Sequence, residues 1–295
     1  MKENNRLQIA VHPKSADYRF RLIGLLALFL WFLSAVEART QCLPKNLPFN
    51  YGEQVFYDAY FKWGILMPKA GEAALSYNQT RYGGRQASRY RLTFHTTGLF
   101  ESVYRMRDTL NCYFSQDNQL LFANKRADEH KDPFLYDDLA FSYRNQKTYV
   151  HSRRYTSERV KIDTVMAGDG CVFDMLGAVF YLRTLDWERL TPGDEYPLIA
   201  ALGRNMIKLK VRYHGQEIVT QGQSVKYKTL RFSLDIYDEA FSESSSAATV
   251  WIGDDENHLP VKIRAKLKIG AAEINYKSSK GLKYPLTCRI VMPKQ

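Results

Sequence analysis

Acidic and histidine residues are the first candidates for chemistry in this 295-residue sequence. Residues 254–257 read Asp-Asp-Glu-Asn, and several adjacent carboxylates are what a hard cation such as Ca²⁺ requires. The run lacks the alternating spacing and the later glutamate of a calcium-binding loop, so it is interpreted as a polar turn before Pro260. The histidines show no metal-ligand spacing, and no nucleophile, phosphate-binding or dinucleotide motif is present. We therefore expect no catalytic residue, no metal and no cofactor.

The basic residues form two more distinctive patterns. Cations alternate with apolar residues in two segments, at Lys208, Lys210 and Arg212 and at Lys262, Arg264, Lys266 and Lys268. Alternate residues of a strand share a face and lie about 6.8 Å apart, so each set would form a row of like charges. That spacing is within the Debye length of about 8 Å, so the cations repel one another unless something offsets them. Acids on a neighbouring strand are one explanation. An anionic ligand, with these seven residues as its site, is the other.

The elements that position these residues are mostly strands. Apolar and polar residues alternate over 89–96, 229–237 and 261–269. Because successive side chains of a strand point to opposite faces, the alternation predicts a curved antiparallel sheet with one buried face. The segment of about 172–185 breaks this period, since its apolar residues recur every three or four positions, and predicts one central helix. That helix separates strand-rich stretches of about 45–170 and 190–295, which form either two lobes or one continuous sheet.

The N-terminus is typical of an export signal. Basic residues precede an apolar run from Leu22 to Leu33, which as a helix would span about 18 Å, too short for a hydrocarbon core of about 30 Å. Val36 and Ala38 are the small residues expected before a cut. Residues 1–38 are therefore predicted to be a signal peptide cleaved near Ala38, and 39–295 a single β-rich domain. We expect the mature protein in the periplasm or cell envelope, with no stable membrane span.

Net charge narrows the expected partners. The formal charge is +11, and removing residues 1–38 takes away five basic and three acidic residues, which leaves +9. An exported protein does not ordinarily meet nucleic acid. The charge therefore favours an anionic lipid, an acidic glycan or another envelope protein as partner.

Four cysteines remain after the predicted cleavage: Cys42, Cys112, Cys171 and Cys288. Export implies an oxidising compartment, so disulfides are expected. Four cysteines allow three connectivities, and the sequence does not choose among them. Because Cys42 and Cys288 flank the domain, we expect them to pair with each other and Cys112 to pair with Cys171. No C-x-x-C pair is present, which argues against redox catalysis.

Three segments carry a family resemblance. A Trp-containing strand leads through the acidic turn to Pro-Val and a second strand over 251–270; Gly71 lies in a Pro-Lys-Ala-Gly-Glu-Ala-Ala-Leu run; and Asp174 precedes a Phe-Tyr-Leu-Arg run ending at Arg183. In this order they resemble the exported bacterial family called domain of unknown function 3108 (DUF3108). His258 stands where its members often carry Arg. The resemblance implies a periplasmic, mainly β fold, similar in outline to the half-barrels that carry lipoproteins or lipids, and no established reaction.

Together these observations favour a non-enzymatic cell-envelope protein that binds an anionic lipid, a glycan or a partner protein. One alternative is an envelope polysaccharide or peptidoglycan hydrolase, which requires a cleft with two carboxylates within about 10 Å. Another is a structural assembly module that pairs an exposed, uncharged sheet edge with a partner.

Overall fold

Strands make up most of the protein, which confirms the predicted mainly β class. The computed structural model describes residues 42–62, 64–130, 132–186, 189–222, 224–237, 244–267 and 270–291. Its helices are α1 (Leu99–Val103) and α2 (Met175–Leu182). Its strands are β1 (Glu53–Lys62), β2 (Lys69–Tyr82), β3 (Arg85–Thr96), β4 (Met106–Phe114), β5 (Leu120–Glu129), β6 (Leu135–Arg144), β7 (Lys147–Tyr155), β8 (Val160–Asp169), β9 (Val172–Phe173), β10 (Glu195–Leu202), β11 (Asn205–Gln221), β12 (Val225–Tyr237), β13 (Ser244–Gly253), β14 (Pro260–Lys266), β15 (Ala271–Lys280) and β16 (Arg289–Ile290).

These strands join in one sheet that is almost closed into a barrel. Its order is β8-β7-β6-β5-β4-β3-β2-β1-β15-β14-β13-β12-β11-β10-β9, with β16 paired to the start of β12. Neighbouring strands are antiparallel except β9 and β10. The two strand-rich stretches of the sequence are thus adjacent parts of one sheet, joined where β1 pairs with β15.

The two ends of the sheet, β8 and β9, follow each other in the chain with two residues between them. Hydrogen bonds cross the gap between the ends. The Ser152 hydroxyl donates to the Gly203 carbonyl (2.6 Å), and the Arg204 guanidinium donates to the Lys161 carbonyl (2.9 Å). The half-barrel that the sequence led us to expect is therefore too open, because the curvature brings the two edges together.

The predicted central helix is shorter than expected, and it is not the only one among the described residues. Val172 and Phe173 form β9, whose parallel pairing with β10 keeps them extended. Helix α2 begins only after Asp174, whose carboxylate accepts hydrogen bonds from the backbone N–H groups of Leu176 (3.2 Å) and Gly177 (2.8 Å). The second helix, α1, is a five-residue turn in the loop between β3 and β4.

Helix α2 fills part of the space that the sheet encloses. Its fully buried Phe180 packs against four aromatic rings, with centroids between 4.5 and 5.7 Å away: Phe49, Tyr77, Tyr90 and Phe114. Three of these rings come from β2, β3 and β4, and the fourth comes from the segment before β1. The interior around α2 is therefore packed with side chains.

A disulfide joins Cys42, in the segment before β1, to Cys171, in the junction between β8 and β9. The expected pairs Cys42–Cys288 and Cys112–Cys171 are therefore wrong. Cys112 faces inward on β4, where its thiol hydrogen-bonds the Asp174 carboxylate (3.0 Å). Cys288 is buried in a small separate apolar cluster. The sheet thus holds these two thiols in different parts of the core.

Two predictions fall outside the described residues: the signal peptide over 1–38 and the basic residue Lys268. The chain from Cys42 onward belongs to one compact unit. Among the residues that the structure describes, no helix is both long enough and apolar enough to cross a bilayer.

Candidate anion-binding groove

The first predicted basic row lies on the outer face of β11. The register places Glu195 of β10 directly opposite Arg212. The Glu195 carboxylate forms ion pairs with Lys210 (2.9 Å) and Arg212 (2.6 Å), and these hydrogen bonds lower the pKa of Glu195. Lys208 lies further along the same face and is exposed. A neighbouring acid therefore offsets most of this row.

The second row lies on the outer face of β14, and an acid on the neighbouring strand offsets its charge in the same way. Glu273 of β15 is opposite Arg264 and forms ion pairs with Lys262 (2.8 Å) and Arg264 (2.7 Å). Burial of Glu273 opposes its ionisation, but the two cations hold its pKa below the ordinary value. Lys266 follows on the same face. At four of the seven predicted positions, the repulsion that suggested an anionic ligand is thus offset within the sheet.

Two of the three segments that carry the family resemblance meet at a buried ion pair. Arg183, just after α2, donates to the Glu53 carboxylate on β1 through both terminal nitrogens (2.6 and 3.1 Å). One of these nitrogens also donates to the Asn257 carbonyl (2.9 Å), and the guanidinium lies over the Phe49 ring at 4.4 Å. Both charged side chains are fully buried. The cluster therefore joins the helix, the first strand and the acidic turn.

The side chains of the acidic turn hold the backbone next to this cluster through hydrogen bonds. The Asp255 carboxylate accepts hydrogen bonds from the backbone N–H groups of Asn257 (3.0 Å) and Cys288 (3.1 Å). The Asn257 amide donates to the carbonyls of Tyr284 and Pro285. No group of three or more potential metal ligands occurs within the described ranges. This geometry agrees with a polar turn.

A cavity of about 560 Å³ lies beside the turn. Asp186, Asp254 and Glu256 contribute to its wall, together with Lys283 and His258. Burial lowers the pKa of His258 to about 4, so this imidazole is neutral at physiological pH. With these carboxylates in its wall, the cavity is one place where the carboxylate pair of a hydrolase could lie.

A third row of cations, on the outer face of β3, has no such compensation. Arg89 lies opposite Asn78 and Tyr113, and Arg91 lies opposite Ser76 and Asn111. These register partners carry no negative charge, and neither arginine forms an ion pair within the described residues. Their Nε atoms are buried and have no hydrogen-bond partner. The sequence shows the alternation in this strand, but only the register reveals that its neighbours are uncharged.

A groove crosses four strands beside Arg91. Its floor is the cross-strand line Thr93, Ala74, Phe56 and Ser278, from β3 to β15. The side chains of Ala74 and Ser278 are small, and the register shifts next to Phe56, which together leave a cavity of about 430 Å³. We refer to this cavity, with the residues along its two sides, as the groove.

The two sides of the groove differ in charge. Next to the floor runs a second cross-strand line, with Arg91 at one end, Lys280 at the other, and Ser76 and Gln54 between them; of these four residues, Lys280 lines the cavity itself. Three strand spacings separate the ends of this line, or about 14 Å. Lys280 also has no ion pair among the described residues.

The opposite side has His95, Glu72 and Lys277. Glu72 accepts hydrogen bonds from Lys69 (2.6 Å) and Lys277 (3.0 Å), which lower its pKa to about 2. Asp58, opposite Glu72 in the register, contacts the same two lysines (2.8 and 3.4 Å). Both acids on this side are therefore already matched by cations, and an anion at the Arg91 side would not be repelled by an unpaired carboxylate.

Comparison with known proteins gives the family. A family model matches residues 57–277, which is most of the chain. The chain belongs to the family described as Protein of unknown function (DUF3108). No curated protein matches it significantly. A solved structure of a beta-barrel-like protein of domain of unknown function DUF1849, from Brucella abortus, is similar with a TM-score of 0.53 at 10% identity, over 77% of this chain and 96% of that one. At that identity the likeness concerns the fold alone.

Proposed function

We propose that this DUF3108 protein is a non-enzymatic binding protein of the cell envelope whose groove holds an anionic group. The observation that carries the proposal is the pair of cations, Arg91 and Lys280, at the two ends of one side of the groove. Elsewhere on the outer face, four of the cations that we singled out from the sequence are matched by Glu195 and Glu273. An arginine without an acidic partner is suited to a phosphate or carboxylate because its planar guanidinium donates two parallel hydrogen bonds.

The dimensions of the groove favour a headgroup or one or two sugar rings. Its volume lies near the lower end of ligand sites, which run from about 300 to 1,000 Å³. Phe56 and Ala74 provide an apolar floor for the carbon face of a sugar or glycerol unit. Ser76, Gln54 and Thr93 provide hydrogen-bonding groups for hydroxyls. The shared chemistry is therefore an anionic group flanked by hydroxyls, from an anionic lipid or an acidic glycan.

Binding measurements on two probes test this proposal. One is a vesicle containing phosphatidylglycerol, and the other is a soluble polyuronate. The double substitution Arg91→Gln, Lys280→Gln is expected to weaken binding of at least one probe by about tenfold or more, since each charge-assisted hydrogen bond contributes about 1.5–3 kcal/mol. Binding should also weaken as salt is added.

The matched control is Lys210→Gln, Arg212→Gln, which removes the same charge from a row that Glu195 already compensates. It should leave the affinity within about twofold. Equal losses in both double variants would show that net charge alone attracts the probe, and binding of neither probe by the unmodified protein would reject the proposal.

The two alternatives have less support. For the hydrolase, the Asp255 carboxylate already accepts hydrogen bonds from two backbone N–H groups and so has a structural role. Asp254 and Glu256, which also line the cavity, remain as the candidate catalytic pair. For the assembly module, the long edge strand β8 carries Lys161, Asp163 and Asp169, whereas an uncharged edge was required. Loss of any envelope-polymer cleavage in Asp254→Asn would favour the hydrolase over a binding protein.

A further inference from the structure

Exposed apolar side chains are concentrated on loops at one end of the barrel-like sheet. The structure describes fourteen exposed large hydrophobic residues, and eight of them lie on four loops. Six belong to the β1–β2 and β3–β4 loops: Ile65, Leu66, Met67, Leu99, Val103 and Tyr104. Phe134 lies between β5 and β6, and Leu267 lies between β14 and β15. We call these four loops the rim.

The topology explains why these loops are neighbours. Each joins an antiparallel pair, and the pairs β6–β5, β4–β3, β2–β1 and β15–β14 follow one another in the sheet. Lys62 at the end of β1 pairs with Ala271 at the start of β15, so both loops emerge at the same end. The ring of Tyr104 stacks on His130 at 5.5 Å, and Thr97 donates to the Ala70 carbonyl, which links adjacent loops.

The opposite end of the same strands is different. The β2–β3, β4–β5 and β6–β7 turns are Gly83–Gly84, Ser115–Gln119 and Asn145–Gln146. None of the exposed large hydrophobic residues lies in these described turns, although Tyr51 before β1 and Val291 after β16 are exposed singly at that end. Scattered apolar residues on a surface need no explanation, but a cluster of eight at one end indicates an interaction surface.

Charge around the rim indicates what the surface meets. The two most apolar loops with their flanking residues, 62–69 and 97–107, contain four cations and one acid; Lys69, Arg105 and Arg107 form ion pairs with Glu72, Asp128 and Glu101, and Lys62 adds a further positive charge. Ile65 is 100% exposed and Leu99 is 75% exposed, and they stand on separate loops. Apolar side chains at loop tips with cations behind them match the layering of a bilayer interface, where acyl chains lie beneath anionic headgroups.

We propose that the rim inserts into the interface of an anionic lipid bilayer and holds the protein at the membrane surface. This goes beyond the proposed function, since the rim residues are not part of the groove. It also places the groove close to headgroups, because the strands that form its floor run into the rim through His95 and Thr96 on one side and Phe61 and Lys62 on the other. The membrane would thus present the ligand to the groove.

Vesicle flotation tests the rim directly, with phosphatidylcholine vesicles that contain or lack an equal part of phosphatidylglycerol. The substitutions Ile65→Ser, Leu66→Ser and, separately, Leu99→Ser, Val103→Ser are each expected to weaken partitioning by about tenfold or more, because each pair withdraws two aliphatic side chains from the bilayer. The control is Val165→Ser, Ile218→Ser, whose side chains are 66% and 59% exposed away from the rim. It should partition as the unmodified protein does.

A depth-sensitive probe separates insertion from attraction by charge alone. In a mature-chain background whose other tryptophans, Trp63, Trp187 and Trp251, are replaced by phenylalanine, the fluorescence of Leu99→Trp should shift to the blue when anionic vesicles are added, and that of Ile218→Trp should not. No shift at Leu99→Trp, or equal losses in the rim and control variants, would overturn the rim proposal. Binding of the soluble polyuronate distinguishes the two proposals, since the rim variants should bind this probe normally and the groove variant should not.

Discussion

Replacing Arg183 with methionine is expected to lower the free energy of unfolding by about 3–5 kcal/mol, the cost of leaving one buried charge without its partner. Arg183 and Glu53 are both fully buried, and their two hydrogen bonds measure 2.6 and 3.1 Å. Burial opposes the charge of Arg183, but Glu53 and its hydrogen bonds raise the pKa of the guanidinium above its ordinary value. For a chain of this size the loss corresponds to a fall in Tm of about 6–20 °C.

The double variant provides the internal control for this prediction. In Glu53→Met, Arg183→Met neither charge remains buried, so the double variant should lose at least about 2 kcal/mol less stability than the sum of the two single losses. Recovery will be incomplete, because the Asn257 carbonyl also loses its donor. Urea unfolding at constant m-value measures all four proteins. Additive losses, or a loss below about 1 kcal/mol in Arg183→Met, would refute the reasoning.

Two further predictions concern the disulfide and one histidine. Reduction of Cys42–Cys171 should lower the free energy of unfolding by about 2–5 kcal/mol, which a lower Tm in the presence of reductant would show. When the chain is unfolded without reductant, two thiols should react, those of Cys112 and Cys288. Any other thiol count would contradict this pairing. The pKa of His258 is about 4 in the folded protein and about 6.5 in an unfolded chain, so its neutral form stabilises the fold above pH 6.5, and this contribution is lost as the pH falls toward 4. The free energy of unfolding, measured by urea titration, should fall by about 2 kcal/mol between pH 7 and pH 5. The substitution His258→Asn should remove that part of the pH dependence, because asparagine tolerates the positive φ of 48° at this position.

The strand pattern was predictable because it depends on neighbouring residues. Alternation over 89–96 and 229–237 predicts strands that the structure contains as parts of β3 and β12. The closure of the sheet was not predictable, because it depends on how strands far apart in sequence pair, and in particular on β1 with β15. The predicted start of the helix was wrong for a similar reason, since Val172 and Phe173 fit the apolar period of a helix but pair with β10 as a strand.

The candidate site illustrates the same difference between local and long-range information. The basic rows at 208–212 and 262–268 were visible in the sequence, but their acids, Glu195 and Glu273, are identified only by the register. Gly71, in one of the segments that carry the family resemblance, is explained only by its neighbour strand, because a Cβ there would lie 2.3 Å from the His95 carbonyl oxygen. Its glycine allows β2 and β3 to approach closely.

The pairing of β1 with β15 also bears on the order in which the protein folds. Nearly every other ladder joins strands that follow each other in the chain, so those hairpins form without closing long loops. The ladder from Gln54–Lys280 to Lys62–Ala271 instead encloses about two hundred residues and must wait until β15 has been synthesised. Until this ladder forms, the edges of β1 and β15 that will pair present unpaired backbone groups to the surroundings. A chaperone that shields these two edges during biogenesis would protect the chain at its most aggregation-prone stage.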